Sequence, residues 1–178
     1  KLYDRYDSLP ILLDPGNKLL NYSALLHTTD TVLRYNRIEV PRGAEYVLQL
    51  ADGTRVWINS ESVLEYPVAF TGDTRTVKLT GEAFFEVAVD MDKPFFVDIN
   101  AARIEVTGTS FNISCYPEDR LYYTVLESGS VLFHTAKSKE SLRPEQGAVF
   151  DPLKGTVQVE DVDLKYFTSW RYGTFWFH

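Results

Sequence analysis

Two glutamates four positions apart, Glu82 and Glu86 in the segment GEAFFEV, are the residues whose spacing is most suggestive of catalysis. Glycoside hydrolases use two carboxylates, which lie about 5 Å apart in retaining enzymes and up to roughly 10 Å apart in inverting ones. On one strand, residues four apart share a face but lie about 13 Å apart, at about 3.3 Å per residue. The pair therefore favours a polar face or hydrogen-bond acceptors at a turn. An all-β hydrolase would need carboxylates from different strands to converge in a cleft.

The other residues that could carry chemistry are scattered. The histidines, His27, His134 and His178, have neither H-x-x-x-H nor H-x-H spacing, so no local pattern indicates a metal site. The sequence contains neither a G-x-S-x-G nucleophile motif nor a G-x-x-x-x-G-K phosphate loop. The single cysteine, Cys115, lies in an alternating apolar register, which favours a small buried side chain over a reactive thiolate. We predict no catalytic residues, no metal site and no cofactor.

Aromatic side chains offer a different binding chemistry. They make up 14% of the 178 residues, and a row of them on a sheet can stack against sugar rings. The commoner reason for such enrichment is that aromatic residues fill β cores and pair across strands. The candidates for a stacking platform include Tyr35, Tyr46, Trp57, Tyr66, Tyr116, Tyr122 and Tyr123. A carbohydrate-binding β module is therefore the alternative function.

The charge balance argues against nucleic acid as a partner. Asp and Glu number 25 against 18 Lys and Arg, which gives a net charge of −7, and no basic block is longer than two residues. Affinity for a phosphate backbone comes largely from clustered Lys and Arg. No apolar run approaches the roughly 20 residues of a membrane span. We expect the chain to be part of a longer protein.

The stretch from Val47 to Val89 predicts the fold class. It reads as strand, turn, strand, loop, strand, turn, strand, and Asp52-Gly53 between alternating runs is a strong hairpin signal. Similar alternating runs continue to a final hairpin around 149–159, while 137–140 is predicted to be an exposed turn. Residues 1–36 are predicted to hold one or two strands, including a small hairpin at Pro15-Gly16. The prediction is an all-β protein of mostly antiparallel hairpins.

A weak internal repeat bears on how the strands stack. The segments VKLTGEAFF, IEVTGTSFN and VLESGSVLF align around Gly81, Gly108 and Gly129, and QLADGTRVW with Gly53 is a looser fourth copy. Repeats of roughly 20 to 30 residues are typical of stacked coils or blades. Glycine-centred bends in any antiparallel sheet are the alternative. The stacking is therefore predicted to be twisted and β-solenoid-like, or sandwich-like.

The sequence changes character after Asp161. Leu164, Phe167 and Trp170 recur at helical spacing with Arg171 outside, and residues 172–177 return to a strand pattern. This short helical and aromatic tail resembles the opening of a second domain. The predicted organisation is an irregular or β extension at 1–36, an all-β domain at 37–162, and the start of a truncated α/β domain at 163–178.

The longest runs of the sequence follow the pattern of a known family. VPRGAEYVLQLADGTRVWINSESVLEYPVAF, VKLTGEAFFEVAVDMDKPFFV, IEVTGTSFNISCY and VLESGSVLF closely resemble the periplasmic domain of FecR-type anti-sigma regulators. The family pattern reads approximately proline-arginine-glycine-glycine, L-x-D-G-T-x-V-W-L-N, G-E-A-x-F-E-V and V-x-G-T-x-F-N-V. Ala44 replaces the second glycine, and Ile58 and Ile113 are conservative replacements. The resemblance is strong from about residue 37 to 160.

The motif residues are expected to be structural. They are Pro41, Arg42, Gly43, Asp52, Gly53, Thr54, Val56, Trp57, Asn59, Gly81, Glu82, Ala83, Phe85, Glu86, Val87, Gly108, Thr109, Phe111 and Asn112. The tail is similar to the lead-in to the family's small C-terminal domain, which resembles the short N-terminal domain of secretins and TonB-dependent receptors. A contact with a partner or with that domain is expected at Trp170, Phe175, Trp176 and Phe177.

The resemblance implies a role in signalling. Such regulators are single-pass inner-membrane proteins whose periplasmic part contacts the N-terminal signalling domain of an outer-membrane TonB-dependent transporter. A cytoplasmic segment holds an extracytoplasmic-function sigma factor. Neither that segment nor the transmembrane helix is found in this sequence, so a sigma factor would be a partner only through the parent protein. The implied location is the periplasm, with a glycan or an iron chelate as the transporter's cargo.

Overall fold

The computed structural model describes residues 2–4, 19–21 and 35–172. The hairpin predicted at Pro15-Gly16 and the strand pattern at 173–177 lie outside these residues, as do Phe175, Trp176 and Phe177. None of the helices in this part of the chain is both long enough and apolar enough to cross a membrane.

Strands account for most of the described chain. They are β1 (Leu2–Asp4), β2 (Leu19–Asn21), β3 (Tyr35–Glu39), β4 (Tyr46–Gln49), β5 (Arg55–Ile58), β6 (Val63–Pro67), β7 (Arg75–Glu86), β8 (Phe95–Ile99), β9 (Ala102–Val106), β10 (Ser110–Cys115), β11 (Tyr122–Ser128), β12 (Val131–Thr135), β13 (Lys139–Leu142), β14 (Gln146–Asp151) and β15 (Thr156–Asp161). A short helix, α1 (Lys165–Thr168), and a 3₁₀ helix (Ser169–Tyr172) follow. The all-β prediction is confirmed, including strands at all four predicted positions between Val47 and Val89.

Strand β7 organises the molecule because it belongs to two sheets. Its first half, 75–80, pairs with β6 and in parallel with β8. Its second half, 81–86, pairs with β5 and β10. The first sheet has the strand order β1-β3-β6-β7-β8-β9-β12-β13, and the second has β2-β4-β5-β7-β10-β11-β14-β15. Apart from the parallel pairs β7–β8 and β2–β4, neighbouring strands are antiparallel.

The two sheets enclose one hydrophobic core. Alternation along each strand sends one face inward, as in β5, where Val56 and Ile58 are fully buried. Contacts join the sheets directly: the rings of Phe133 and Phe150 lie 5.6 Å apart, and those of Phe85 and Phe95 lie 6.3 Å apart. The resulting sheet is nearly closed, like a barrel.

The glycines of the internal repeat mark the points where the chain passes between the sheets. Gly81 lies inside β7 where the strand leaves the first sheet for the second, Gly108 lies between β9 and β10, and Gly129 lies between β11 and β12. Gly53 is different, because it turns the β4–β5 hairpin within the second sheet. Each of the three closer copies of the repeat therefore marks a place where the chain changes from one sheet to the other.

Two local predictions were wrong. The region 137–140 is not only a turn, since β13 begins at Lys139 and pairs with β12. Arg171 does not point outward: its side chain is 4% exposed. The first error concerns a local hairpin, in which charged residues of β13 pair with the preceding strand β12. The second concerns a side chain whose partners, Phe84 and Glu127, lie far away in the sequence.

Candidate functional site at the outer face of the second sheet

Three motif residues that are far apart in the sequence meet on the outer face of the second sheet. Glu82 accepts one hydrogen bond from Asn59 Nδ2 at 2.8 Å and another from Asn112 Nδ2 at 2.9 Å. The residues come together because β7 lies between β5 and β10 in the sheet. Both carboxylate oxygens of Glu82 are thus occupied by amide donors within the chain.

The environment of Glu82 favours its protonated form. Burial raises the pKa of this carboxyl above its ordinary value of 4.5, against the effect of the hydrogen bonds from Asn112 and Asn59, and Asp119 adds a smaller repulsion. Nearby, Tyr116 donates to the carbonyl oxygen of Ser60 at 2.9 Å, and burial raises the pKa of its phenol to about 12. The surroundings of Glu82 suit a fixed structural carboxyl.

The C-terminal segment, residues 164–172, covers this cluster. Trp170 is 6% exposed, and its indole Nε1 donates to Asn112 Oδ1 at 3.3 Å. Asn112 therefore links the indole to Glu82, with its amide group used on both sides. Phe167 of the same segment lies against Tyr123, with ring centroids 5.8 Å apart.

Arg171 also holds the C-terminal segment against the second sheet. Its guanidinium carbon lies 3.3 Å from the centroid of the Phe84 ring and 5.9 Å from that of Trp57. Its Nη2 donates to Glu127 Oε1 at 2.9 Å. A cation over an aromatic face is attracted by the ring's quadrupole, and the ion pair offsets the loss of hydration. Phe84 is completely buried although it points away from the main core.

Another buried charge, Arg75, lies at the first residue of β7. Arg75 is 1% exposed and donates to Asp52 Oδ2 and to the carbonyl oxygens of Ala88 and Lys93, each at 2.8 Å. Asp52 also accepts hydrogen bonds from Thr54, so the D-G-T turn is tied to β7. Sequence reasoning missed Arg75. The available signal was that Arg75 lies two and four residues before the buried Val77 and Leu79, which places it on the inward face of the strand.

The comparisons with known proteins agree with this architecture. The sequence matches the model of the FecR protein family over residues 36–132, more than half of its length. The chain belongs to the FecR family. This is a regulatory, non-enzymatic family whose FecR domain is typically periplasmic.

Two crystal structures of a "putative anti-sigma factor" from Parabacteroides distasonis ATCC 8503 are similar to the chain. The structure at 2.50 Å resolution has a TM-score of 0.75 and 34% identity over 78% of this chain. The one at 1.65 Å has the same TM-score and 35% identity over 77%. The chain spans 65% of the length of each of them. Comparison with curated proteins gave no match.

The remaining FecR motif residues lie in strands and turns around the cluster. Phe85 and Phe111 stack in the core with ring centroids 5.2 Å apart. Thr109 donates to the carbonyl oxygen of Ser130 at 2.9 Å, next to the crossing at Gly108. Glu86 lies 3.8 Å from Arg55.

At the start of the FecR motifs, Gly43 has a φ of +75° and donates its backbone N–H to Ser60 Oγ at 2.8 Å. Arg42 is exposed. The structure brings Asn59, Glu82 and Asn112 together, and it leaves Arg42 and Glu86 outside that cluster. Trp170 lies against this chain's own sheet. Its predicted contact with a partner or a further domain stays a prediction, as do the domain boundaries.

The other candidate chemistries do not converge. Tyr66 and Tyr122 of the possible sugar platform are buried in the core, and Trp57 lies on the outer face. His134 bonds to Glu105 at 2.7 Å on the first sheet. Across residues 35–172 no group of histidine, cysteine and acidic side chains is arranged to hold a metal ion. Cys115 is buried as predicted, and burial raises the pKa of its thiol to about 12.

Proposed function

We propose that this FecR domain is the periplasmic signal-relay domain of a transmembrane anti-sigma regulator. Its partner is the N-terminal signalling domain of a TonB-dependent outer-membrane transporter. An extracytoplasmic-function sigma factor is controlled through a cytoplasmic segment of the parent protein, which is anchored in the inner membrane. Membership of the FecR family supports this proposal.

One structural observation favours a relay over a catalyst. The most suggestive carboxylate, Glu82, has both oxygens bound by asparagine amides and lies beneath Trp170. Glu86 is on the same strand and pairs with Arg55. A carboxyl whose two oxygens are each held by an internal donor is suited to hold elements together. A relay domain needs this rigidity, together with a surface for protein contact, and no catalytic group.

Calorimetry tests the proposal. The complete periplasmic region of the parent protein is titrated with the signalling domain of the TonB-dependent transporter encoded beside it. We expect saturable binding with a negative heat-capacity change, because protein contact buries apolar surface.

Two controls define the outcome. A signalling domain from an unrelated transporter should not bind, and millimolar oligosaccharides should leave tryptophan fluorescence unchanged. Absence of binding by a demonstrably folded protein would overturn the proposal. Quenching by an oligosaccharide would instead support the carbohydrate-binding alternative.

A further inference from the structure

We propose that the C-terminal segment, residues 164–172, is a rigid connector that couples the all-β domain to the chain that follows, and that Arg171 and Trp170 are the positioning residues of this coupling. The inference rests on the proposed relay function, because it names the path by which a contact made beyond residue 172 reaches the sheet. The outer face of the second sheet is the surface on which the connector docks.

The indole of Trp170 forms one anchor of the connector. It donates to Asn112, which donates to Glu82, which in turn accepts from Asn59. This chain of bonds runs from the segment through β10 and β7 to the residue directly after β5. A displacement of the indole therefore acts on three neighbouring parts of the sheet at once.

Arg171 forms the other anchor, and its contacts are independent of the first. It lies over Phe84 of β7 and pairs with Glu127 of β11. Its side chain is 4% exposed, so this cation has exchanged most of its hydration for the ring and the carboxylate. Trp170 and Arg171 thus bind the same face through different direct partners: Trp170 contacts β10, and Arg171 contacts β7 and β11.

The short length of the segment makes its structure depend on docking. Helix α1 has four residues and its N-cap side chain makes no capping hydrogen bond. A helix this short does not persist in water without tertiary contacts. We therefore expect the order of the segment to depend on its docking against the sheet.

Hydrogen exchange on the complete periplasmic region tests the anchors. The variants are Arg171→Ala and Trp170→Phe, the second of which keeps an aromatic ring and removes the N–H donor. The matched control is Arg103→Ala on the first sheet. Arg103 also pairs with a carboxylate, Asp98 at 2.9 Å, and lies 5.1 Å from an aromatic centroid, but its side chain is 49% exposed.

We expect exchange of the backbone amides in 164–172 to rise about tenfold in both variants, because local opening becomes easier. Strands β8 and β9 should keep wild-type exchange, and Arg103→Ala should leave 164–172 unchanged. Wild-type exchange of this segment in both variants would overturn the assignment of the anchors. If Arg171→Ala does not fold, the Trp170→Phe variant decides the outcome alone.

A second measurement separates coupling from partner binding. Partner affinity is measured by calorimetry, and sigma-factor-dependent transcription is measured in cells with and without the inducing ligand. We expect the variants to bind the signalling domain within about threefold of wild type while the inducible response falls about tenfold, a loss of coupling with binding retained. The control should keep both.

The outcomes distinguish the two proposals. If the wild-type protein does not bind the signalling domain, the proposed function fails whatever the exchange data show. If the variants loosen the segment, bind the partner and still signal at the wild-type level, the relay function stands and the connector role is overturned.

Discussion

At the residue scale, Glu82 shows how a motif carboxylate can serve structure. It lies four positions from another glutamate, a spacing that invites a catalytic interpretation, but its partners are two asparagines from neighbouring strands. Burial favours its neutral form, while the two amide donors favour the anion. The balance leaves the pKa raised, so ionisation of Glu82 lowers the stability of the fold.

This balance predicts the pH dependence of a Glu82→Gln variant. Because the pKa is raised in the folded protein, the folded state binds more protons than the unfolded state above pH 4.5. The stability contributed by Glu82 is complete below that pH and is lost as pH rises through the folded pKa. The glutamine side chain does not titrate in this range, so the variant lacks this loss of stability. The free energy of unfolding of the variant, relative to wild type, should therefore increase from pH 4.5 towards neutrality.

Urea unfolding at a series of pH values measures this difference. Glu86→Gln is the matched control, since it removes a carboxylate from the same strand whose side chain is 40% exposed. A difference between Glu82→Gln and wild type that stays constant with pH would contradict the burial argument.

At the element scale, β7 changes sheet at a glycine. Gly81 has a φ of +96°, and a Cβ at this position would lie 2.7 Å from the Cα of Ser62. The hydroxyl of Ser62 accepts the backbone N–H of Glu82 at 2.8 Å, so β6 and β7 approach closely just before the carboxylate–amide cluster. The glycine therefore sets both the crossing between sheets and the position of Glu82.

Substitution of this glycine should be costly. We expect Gly81→Ala to lower the free energy of unfolding by about 2 to 5 kcal/mol, the sum of backbone strain and overpacking against Ser62. Gly53→Ala is the matched control: Gly53 has a φ of +89° but nothing within 4 Å of the added carbon. Its cost should be limited to backbone strain, about 1 kcal/mol.

Urea denaturation of the two glycine variants gives both values. Equal losses of stability would show that the close approach of Ser62 adds nothing to the strain of the positive φ.

At the scale of the whole molecule, the two sheets cannot fold separately. Both contain β7, both contribute side chains to one core, and β9–β10 and β11–β12 cross between them. Neither sheet can lose its pairing with β7 without exposing apolar surface of the other. We therefore expect the described domain to unfold as one cooperative unit.

This cooperativity predicts a single unfolding transition for residues 35–163. Hydrogen exchange at increasing urea should show the same dependence for 95–106 of the first sheet and 110–128 of the second, because both report global unfolding. The C-terminal segment should exchange at lower urea, since its contacts lie outside the main core. Release of the first sheet before the second would refute shared folding.

Local patterns in the sequence predicted most of the strands and their inward faces. Alternating apolar residues, the turn at Asp52-Gly53 and the order of the FecR motifs were local signals, because strand period and turn chemistry act over a few residues. They predicted the fold class, the buried Cys115 and the structural nature of the motif glycines. The aromatic enrichment is explained in part by core packing, as with Tyr66 and Tyr122.

Which motif residues meet depends on the pairing of strands that are distant in the sequence. Asn59 and Asn112 lie 23 and 30 residues from Glu82, and their convergence depends on the order β5-β7-β10 in the second sheet. The buried position of Arg171 likewise depends on partners from β7 and β11. The period of apolar residues predicts the face of a strand on which a side chain lies. Its partner depends on strand order, because strand order brings distant parts of the chain together.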